Sequence, residues 1–140
     1  MSKIIFENSE GGVSVVHPTG DVPINELINR VVPSGASYEI VDDDTIPADR
    51  TFRDAWVKAG ASIAEDLPKA KEIAHKSRRE KRAEEFAPHD DVIAKQIPGA
   101  DADAAEAARA DIRTKYATMQ TEIDAATTTA EIKTALGLSA

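Results

Sequence analysis

The aromatic side chains restrict the fold of this chain most, because half of them fall within one stretch, residues 36–57. The 140 residues include one tryptophan, two tyrosines and three phenylalanines, and this stretch holds Tyr38, Phe52 and Trp56. Aromatic rings bury large apolar areas and dominate the packing of small cores. The concentration therefore predicts that part of the hydrophobic core lies here.

The first half of this stretch predicts a half-buried strand that ends in a turn. Tyr38 and Ile40 alternate with Glu39 and Val41, which is the period of a strand with one buried face. Three aspartates, residues 42–44, follow it. They are compatible with a cation site or with a solvated turn whose side chains hydrogen-bond to their own backbone. We favour the turn, because the glycine and the closing glutamate of an EF-hand loop are absent.

The second half of the stretch predicts a short helix. Thr51 and Asp54 match the pattern of a capped helix N-terminus, so a helix is expected to start near Phe52. Phe52 and Trp56 are four residues apart and would lie on one face of this helix. We expect that face to pack against the side of the strand that carries Tyr38.

Charge and composition argue against several classes of function. The 17 basic and 25 acidic residues give a net charge of −8, whereas a general nucleic-acid binder needs a basic face. Without cysteine there is no disulfide framework and no thiolate chemistry. No apolar run is long enough to span a membrane, and no signal-peptide segment is present, so a cytoplasmic location is expected. No pair of histidines has metal-ligand spacing, so we expect no catalytic residue, metal or cofactor.

The N-terminal part of the chain predicts a small antiparallel sheet with short helices. Two β-rich runs, residues 3–6 and 13–16, flank turn residues and predict a hairpin. Pro23 and the apolar positions after it predict a helix that ends before Pro33. With the strand at Tyr38 and the helix after it, this gives three strands and two helices, with the sheet covered on one face.

The expected fold class is therefore α+β, in two parts. Residues 1–60 form the small module, and residues 61–140 form a helical hairpin or helical extension after a linker at residues 58–66. Asp66 has the character of a helix N-cap and predicts the start of a long helix. Pro88 is expected to break or kink this helix, because proline lacks the backbone N–H that a helix interior uses.

The middle of the long helix is almost entirely polar. A stretch such as residues 75–85 is either solvated or faces another charged surface. The glutamates between its basic residues favour ion pairs along the helix over phosphate binding. A loop near residues 98–100 precedes a second helix, and Thr128 with Glu131 predicts a capping box for a short last helix.

The second long helix carries an apolar seam. Its members are spaced by 3, 4, 7, 4 and 3 residues, with Tyr116 beside the skipped position, and they are Ala105, Ala108, Ile112, Met119, Ile123 and Ala126. Such a heptad-like pattern is buried against another helix. We favour an intramolecular hairpin, while trimerisation or partner binding would bury the seam equally well.

Several segments resemble a known family. Residues 11–18 (GGVSVVHP), 32–56 (VPSGASYEIVDDDTIPADRTFRDAW), 67–73 (LPKAKEI) and 128–136 (TTAEIKTAL) follow one another along most of the chain. The most specific is residues 46–56, with Ile46-Pro47 and the run around Phe52. Together they resemble small tailed-bacteriophage proteins encoded beside tail-fibre genes, the tail fibre assembly proteins or chaperones.

The resemblance implies an assembly role and no catalytic residues. It implies that the chain binds the tail fibre polypeptide in the host cytoplasm, aids its folding or trimerisation, and is in some cases retained at the fibre tip in the virion tail. A homo-oligomer or trimer matching the fibre is compatible with this role. The alternative is a structural virion component, a baseplate or fibre adaptor, with the helical half as an oligomerisation element. The side chains expected to contact the partner are Tyr38, Trp56, Ile112, Tyr116, Met119 and Ile123.

Overall fold

Antiparallel strands come first and helices follow in the computed structural model, which describes residues 2–95 and 102–138. The α+β fold class is confirmed. The elements are β1 (Ser2–Glu7), β2 (Val13–Val16), α1 (Ile24–Val31), β3 (Tyr38–Asp42), β4 (Trp56–Ala59), β5 (Ser62–Glu65), α2 (Leu67–Lys95), α3 (Ala102–Ala125) and α4 (Thr129–Ala135). The chain forms two compact units, an N-terminal unit through Lys69 and a C-terminal unit from Ala70.

A three-stranded antiparallel sheet in the order β2-β1-β3 forms the centre of the N-terminal unit. The turn between β1 and β2 is closed by Asn8, whose side-chain oxygen accepts hydrogen bonds from the backbone N–H groups of Glu10 and Gly12. Gly11 adopts a φ of 81°, a conformation that glycine reaches without steric cost. The predicted hairpin is confirmed.

The central strand β1 is buried on both faces. Ile5 packs with Val13, Val41 and Trp56 on one face, and Ile4, which points the other way, is fully buried as well. The expectation that only one face is covered is therefore wrong. A middle strand with neighbours on both sides loses solvent contact more readily than the sheet edges do.

The predicted helix at Phe52 is also wrong. A single 3₁₀ turn, Arg53–Ala55, is followed at once by β4, which pairs with β5 across Gly60 in an antiparallel hairpin. The segment predicted as a linker, residues 58–66, is thus mostly strand. The reason is local and specific: the Thr51 hydroxyl donates to the Asp49 carboxylate at 2.6 Å and does not cap a helix.

Trp56 lies on the opposite side of β3 from the predicted one. Its ring is 1% exposed and packs in the cluster that contains Val41, whereas Tyr38 and Ile40 remain 43% and 46% exposed. The alternation along β3 was predicted correctly, but the choice of the buried face was not. Only the position of the β4–β5 hairpin decides which face is covered.

Helix α2 begins where the sequence predicts and continues beyond the predicted break. The Asp66 carboxylate accepts a hydrogen bond from the Lys69 backbone N–H at 3.2 Å. The helix then runs through Pro88 to Lys95, so of the two outcomes predicted for Pro88 the break is wrong, and the kink stays a prediction. An interior proline costs about 3 kcal/mol. Two residues beyond Pro88, the Asp90 carboxylate forms an ion pair with a residue of α3 at 2.8 Å.

Helices α2 and α3 are antiparallel neighbours in the C-terminal unit. Three polar contacts define their register: His75 with Asp124 at 2.7 Å, Glu85 with Lys115 at 2.8 Å and Asp90 with Arg109 at 2.8 Å. The polar part of α2 therefore faces a charged surface of α3, which is one of the two predicted alternatives. The loop expected near residues 98–100 lies outside the described residues.

Four of the six residues of the apolar seam are buried within the C-terminal unit, and Ala108 and Ile112 are half-buried. The apolar side chains buried in this unit come from all three helices and the residues that follow α3 and α4. They are Ala70 and Ala74 in α2, Ala105, Tyr116, Met119 and Ile123 in α3, Ala126 just after α3, Ile132 in α4 and Leu136 just after it. Helix α4 begins as predicted, because the Thr128 hydroxyl accepts a hydrogen bond from the Glu131 backbone N–H. It ends at Ala135, and Gly137, two residues further on, adopts the positive φ of 77° that is common just after a helix.

Candidate interaction surface

Exposed apolar side chains are concentrated at β3. Among the described residues, the large apolar side chains that are exposed are Tyr38, Ile40 and Leu138. Two of these three lie two positions apart on one strand and point to the same face. Single exposed apolar residues are ordinary, whereas neighbouring ones indicate an interaction site.

Strand β3 is also an edge of the sheet. It pairs with β1 on one side, and no described strand lies on its other side. An edge strand presents a row of backbone N–H and C=O groups that a further strand can use. The opposite edge, β2, is different, because the Arg53 guanidinium donates to the Val13 carbonyl at 2.7 Å. The outer edge of β3 is therefore the more accessible of the two.

A shallow groove of about 300 Å³ opens beside the start of β3. It is lined by the C-terminal part of α1, the turn that follows it, and the first residue of the strand, with Ile28, Val32, Pro33, Ala36 and Tyr38 among its lining residues. The groove and the exposed face of β3 share the Tyr38 side chain. Together, the outer edge of β3, Tyr38, Ile40 and this groove are called the β3 surface below.

The β3 surface carries negative charge. Glu39 and Asp42 belong to the strand, and Asp43 and Asp44 follow it directly. Lys3 lies 3.2 Å from the Asp43 carboxylate, and its hydrogen bond holds the pKa of that carboxyl below its usual range. The ion pairs found within the described residues do not include Glu39, Asp42 or Asp44.

The six side chains predicted to bind a partner do not form one surface. Tyr38 is exposed and Ile112 is half-buried. The other four are at most 8% exposed inside their own units: Trp56, Tyr116, Met119 and Ile123. These four side chains therefore offer a partner little surface, and their binding role stays a prediction. Ile40 was not among the six predicted residues, although its spacing from Tyr38 places both on one face.

A second concavity, of about 590 Å³, lies within the C-terminal unit. Tyr116, Met119 and Leu136 contribute apolar surface to it, and Glu85 and Lys115 lie at the same site. The Lys115 ammonium beside Glu85 holds the pKa of that carboxyl below its usual range, and Glu85 raises the pKa of Lys115. Burial raises the pKa of the Tyr116 hydroxyl. These charges already pair with one another, so the site is less suited to a charged ligand than the β3 surface.

Residues 2–95 and 102–138 contain neither a cluster of metal-ligating side chains nor a membrane-spanning helix. In that part of the chain, no three histidine or carboxylate side chains are grouped so that they could hold a metal ion. The Asp49 carboxylate accepts from the backbone N–H of Thr51, as a turn residue does. No described helix combines the length and apolarity needed to cross a bilayer.

Comparisons with protein-family models, with curated proteins and with solved structures found no match to this chain.

Proposed function

We propose that this chain is an assembly chaperone for a phage tail fibre, which binds the fibre polypeptide and aids its folding or trimerisation. The sequence resemblance suggests this class of protein, and the β3 surface is the observation that carries the proposal. It combines an open strand edge with exposed apolar side chains, Tyr38 and Ile40.

A fibre chain needs help at the stage when its strands are not yet paired. Unpaired edges and transiently exposed apolar surface lead to aggregation of large β-rich proteins. A chaperone that offers a complementary edge can cover such a segment until trimerisation buries it. The negative charge around β3, from Glu39 and residues 42–44, would keep two copies of the chaperone from pairing with each other instead.

The alternative function, a structural adaptor that oligomerises through its helical half, has less support. It requires an apolar seam that is open to other copies. In the described residues of the C-terminal unit, Met119 and Ile123 of that seam are buried by the chain itself. Of the three large apolar side chains that are exposed among the described residues, two lie on β3.

Co-expression tests the proposal. The chain is produced with the neighbouring tail-fibre polypeptide, and the soluble fraction is analysed by size-exclusion chromatography with light scattering. We expect a complex whose mass gives its stoichiometry, and soluble fibre only when the chain is present. The Ile40→Ser variant should yield less soluble fibre, whereas Leu138→Ser, at an exposed leucine in the other unit, should behave as the unmodified chain does.

The opposite result is equally clear. A fibre that is as soluble without the chain, with no complex in the light-scattering profile, would contradict a chaperone role. The adaptor function would then be preferred, and the chain should be found in purified particles in a fixed ratio to the fibre.

A further inference from the structure

We infer that the outer edge of β3 binds an extended segment that alternates apolar and basic residues, and that this segment adds to the sheet as a fourth strand next to β3. The inference deepens the proposed function and rests on it in one respect, namely that the segment belongs to the fibre polypeptide. The binding mode and the chemistry of the segment follow from the β3 surface alone.

The apolar half of the pattern follows from the strand register. Ile4 lies opposite Ile40, and Phe6 lies opposite Tyr38, so the four side chains share one face of the sheet. Ile4 and Phe6 are 0% and 8% exposed, whereas their partners on β3 remain almost half exposed. A strand added about 4.8 Å beyond β3 would place every second side chain on this face and cover both residues.

The groove beside Tyr38 provides an end point for this apolar row. Val32 and Pro33 line it together with Tyr38, and Gly35, which also lines it, turns the chain with a φ of 82°. A bulky apolar side chain at one end of the segment would fill it. Backbone pairing with pockets for alternate side chains is the usual means by which sheet edges recognise peptides.

The basic half of the pattern follows from the acidic residues. Glu39 points to the other face of the sheet, between Tyr38 and Ile40, and its neighbour on β1 is the apolar Ile5. Asp42 and Asp44 lie at the end of the strand. Lysine or arginine at the alternate positions of the segment would lie on the Glu39 face and form cross-strand pairs with that carboxylate, which favours binding and fixes the register.

A second copy of the chain does not fit this edge. Each copy would bring the carboxylates of Glu39, Asp42 and Asp44, none of which belongs to an ion pair found among the described residues. Like charges across neighbouring strands are destabilising. The occupant is therefore a different chain with basic residues.

The test uses the full chain and a synthetic peptide of about six residues, the length of an ordinary strand, in which valine and lysine alternate. Binding is followed by amide chemical shifts of the isotope-labelled protein, which detect weak complexes. We expect saturable shifts and slowed hydrogen exchange at residues 38–42. A peptide with glutamate in place of lysine should bind about tenfold more weakly, because attractive pairs become repulsive ones.

Three further comparisons test the binding mode, and the first separates strand addition from simple charge attraction. A peptide methylated at every backbone nitrogen keeps its charge but has no N–H group to donate to β3 from either edge, and we expect it not to bind. Glu39→Lys should remove most of the preference for the basic peptide. Ile40→Ser should weaken binding, while the control Leu138→Ser should not.

Equal binding of the methylated and unmethylated peptides, or shifts that lie away from β3, would overturn the inference. So would the absence of any shift at saturating peptide. These outcomes are distinct from failure of the proposed function. If a fibre complex forms but the β3 amides exchange as fast as in the free protein, the chaperone role is supported and binding at the β3 edge is contradicted. If the peptide binds at β3 but no fibre complex forms, strand addition at the β3 edge is supported and the chaperone role is contradicted.

Discussion

Truncation of the single tryptophan tests the core of the N-terminal unit most directly. Trp56 is 1% exposed and packs with Ile5, Val13 and Val41. The Arg53 guanidinium lies over its ring at 4.5 Å from the centroid. Replacing a buried tryptophan by alanine removes its transfer free energy and leaves a cavity, which together cost about 3–5 kcal/mol.

This loss is large relative to the stability that the unit can have. At about 0.05–0.15 kcal/mol per residue, a unit of this size has about 3–10 kcal/mol in total. We therefore expect Trp56→Ala to leave the N-terminal unit largely or marginally unfolded. Urea unfolding followed by the NMR amide signals of β1 and β3 measures this, because these signals report on the N-terminal unit separately from the helices.

Trp56→Phe serves as the matched control. The indole nitrogen of Trp56 is buried, and among the described residues no hydrogen-bond acceptor is in reach. A buried donor without a partner costs about 1–3 kcal/mol. Phenylalanine keeps one aromatic ring and removes this unpaired donor. Removing the donor lowers the desolvation cost and so offsets part of the packing free energy that is lost. We therefore expect the free energy of unfolding to change by less than about 2 kcal/mol. An unchanged urea midpoint for Trp56→Ala would refute the assignment of this residue to the core.

Three further predictions concern the C-terminal unit. Met119→Asp places a charge at a buried position and should abolish most of the helical signal in circular dichroism, whereas Thr118→Asp, at the exposed neighbouring position, should preserve it. Thr128→Ala removes the cap of α4 and should lower its stability by about 1 kcal/mol, measured by hydrogen exchange of the α4 amides. The Glu85–Lys115 pair should contribute stability between the ordinary pKa values of 4.5 and 10.5. Its contribution is lost as the pH falls through the lowered pKa of Glu85 or rises through the raised pKa of Lys115, and Lys115→Met should remove that pH dependence from the thermal unfolding profile.

Local sequence patterns correctly predicted the turns and helix ends that are stabilised by residues close to them in sequence. The hairpin after Asn8, the helix start at Asp66 and the cap at Thr128 are formed by side chains that bond to backbone within four residues. Such signals are complete in the sequence, since both partners lie in the same short segment. The prediction from the local pattern was wrong at Thr51, because its hydroxyl had two possible roles. It was expected to cap a helix, but it donates a hydrogen bond to the Asp49 carboxylate.

The β3 surface was only partly predictable, because exposure is decided by the rest of the fold. Alternation along β3 placed Tyr38 and Ile40 on one face, but either face of the strand had enough apolar character to be buried. Tyr38 was predicted to contact a partner, and it was also expected to lie on the side of the strand that packs against Trp56. The structure instead leaves it beside an open edge.

The sequence by itself determined the fold class, the period of each long element and the charge of the chain, because these depend on residue type and spacing. Tertiary structure alone decided three matters: which face of β3 the hairpin covers, that α2 continues through Pro88, and that most of the α3 seam is buried within its own unit. Each of these depends on contacts between residues far apart in the chain. The free energy of such contacts exceeds local preferences, and no local pattern specifies which distant residues will meet.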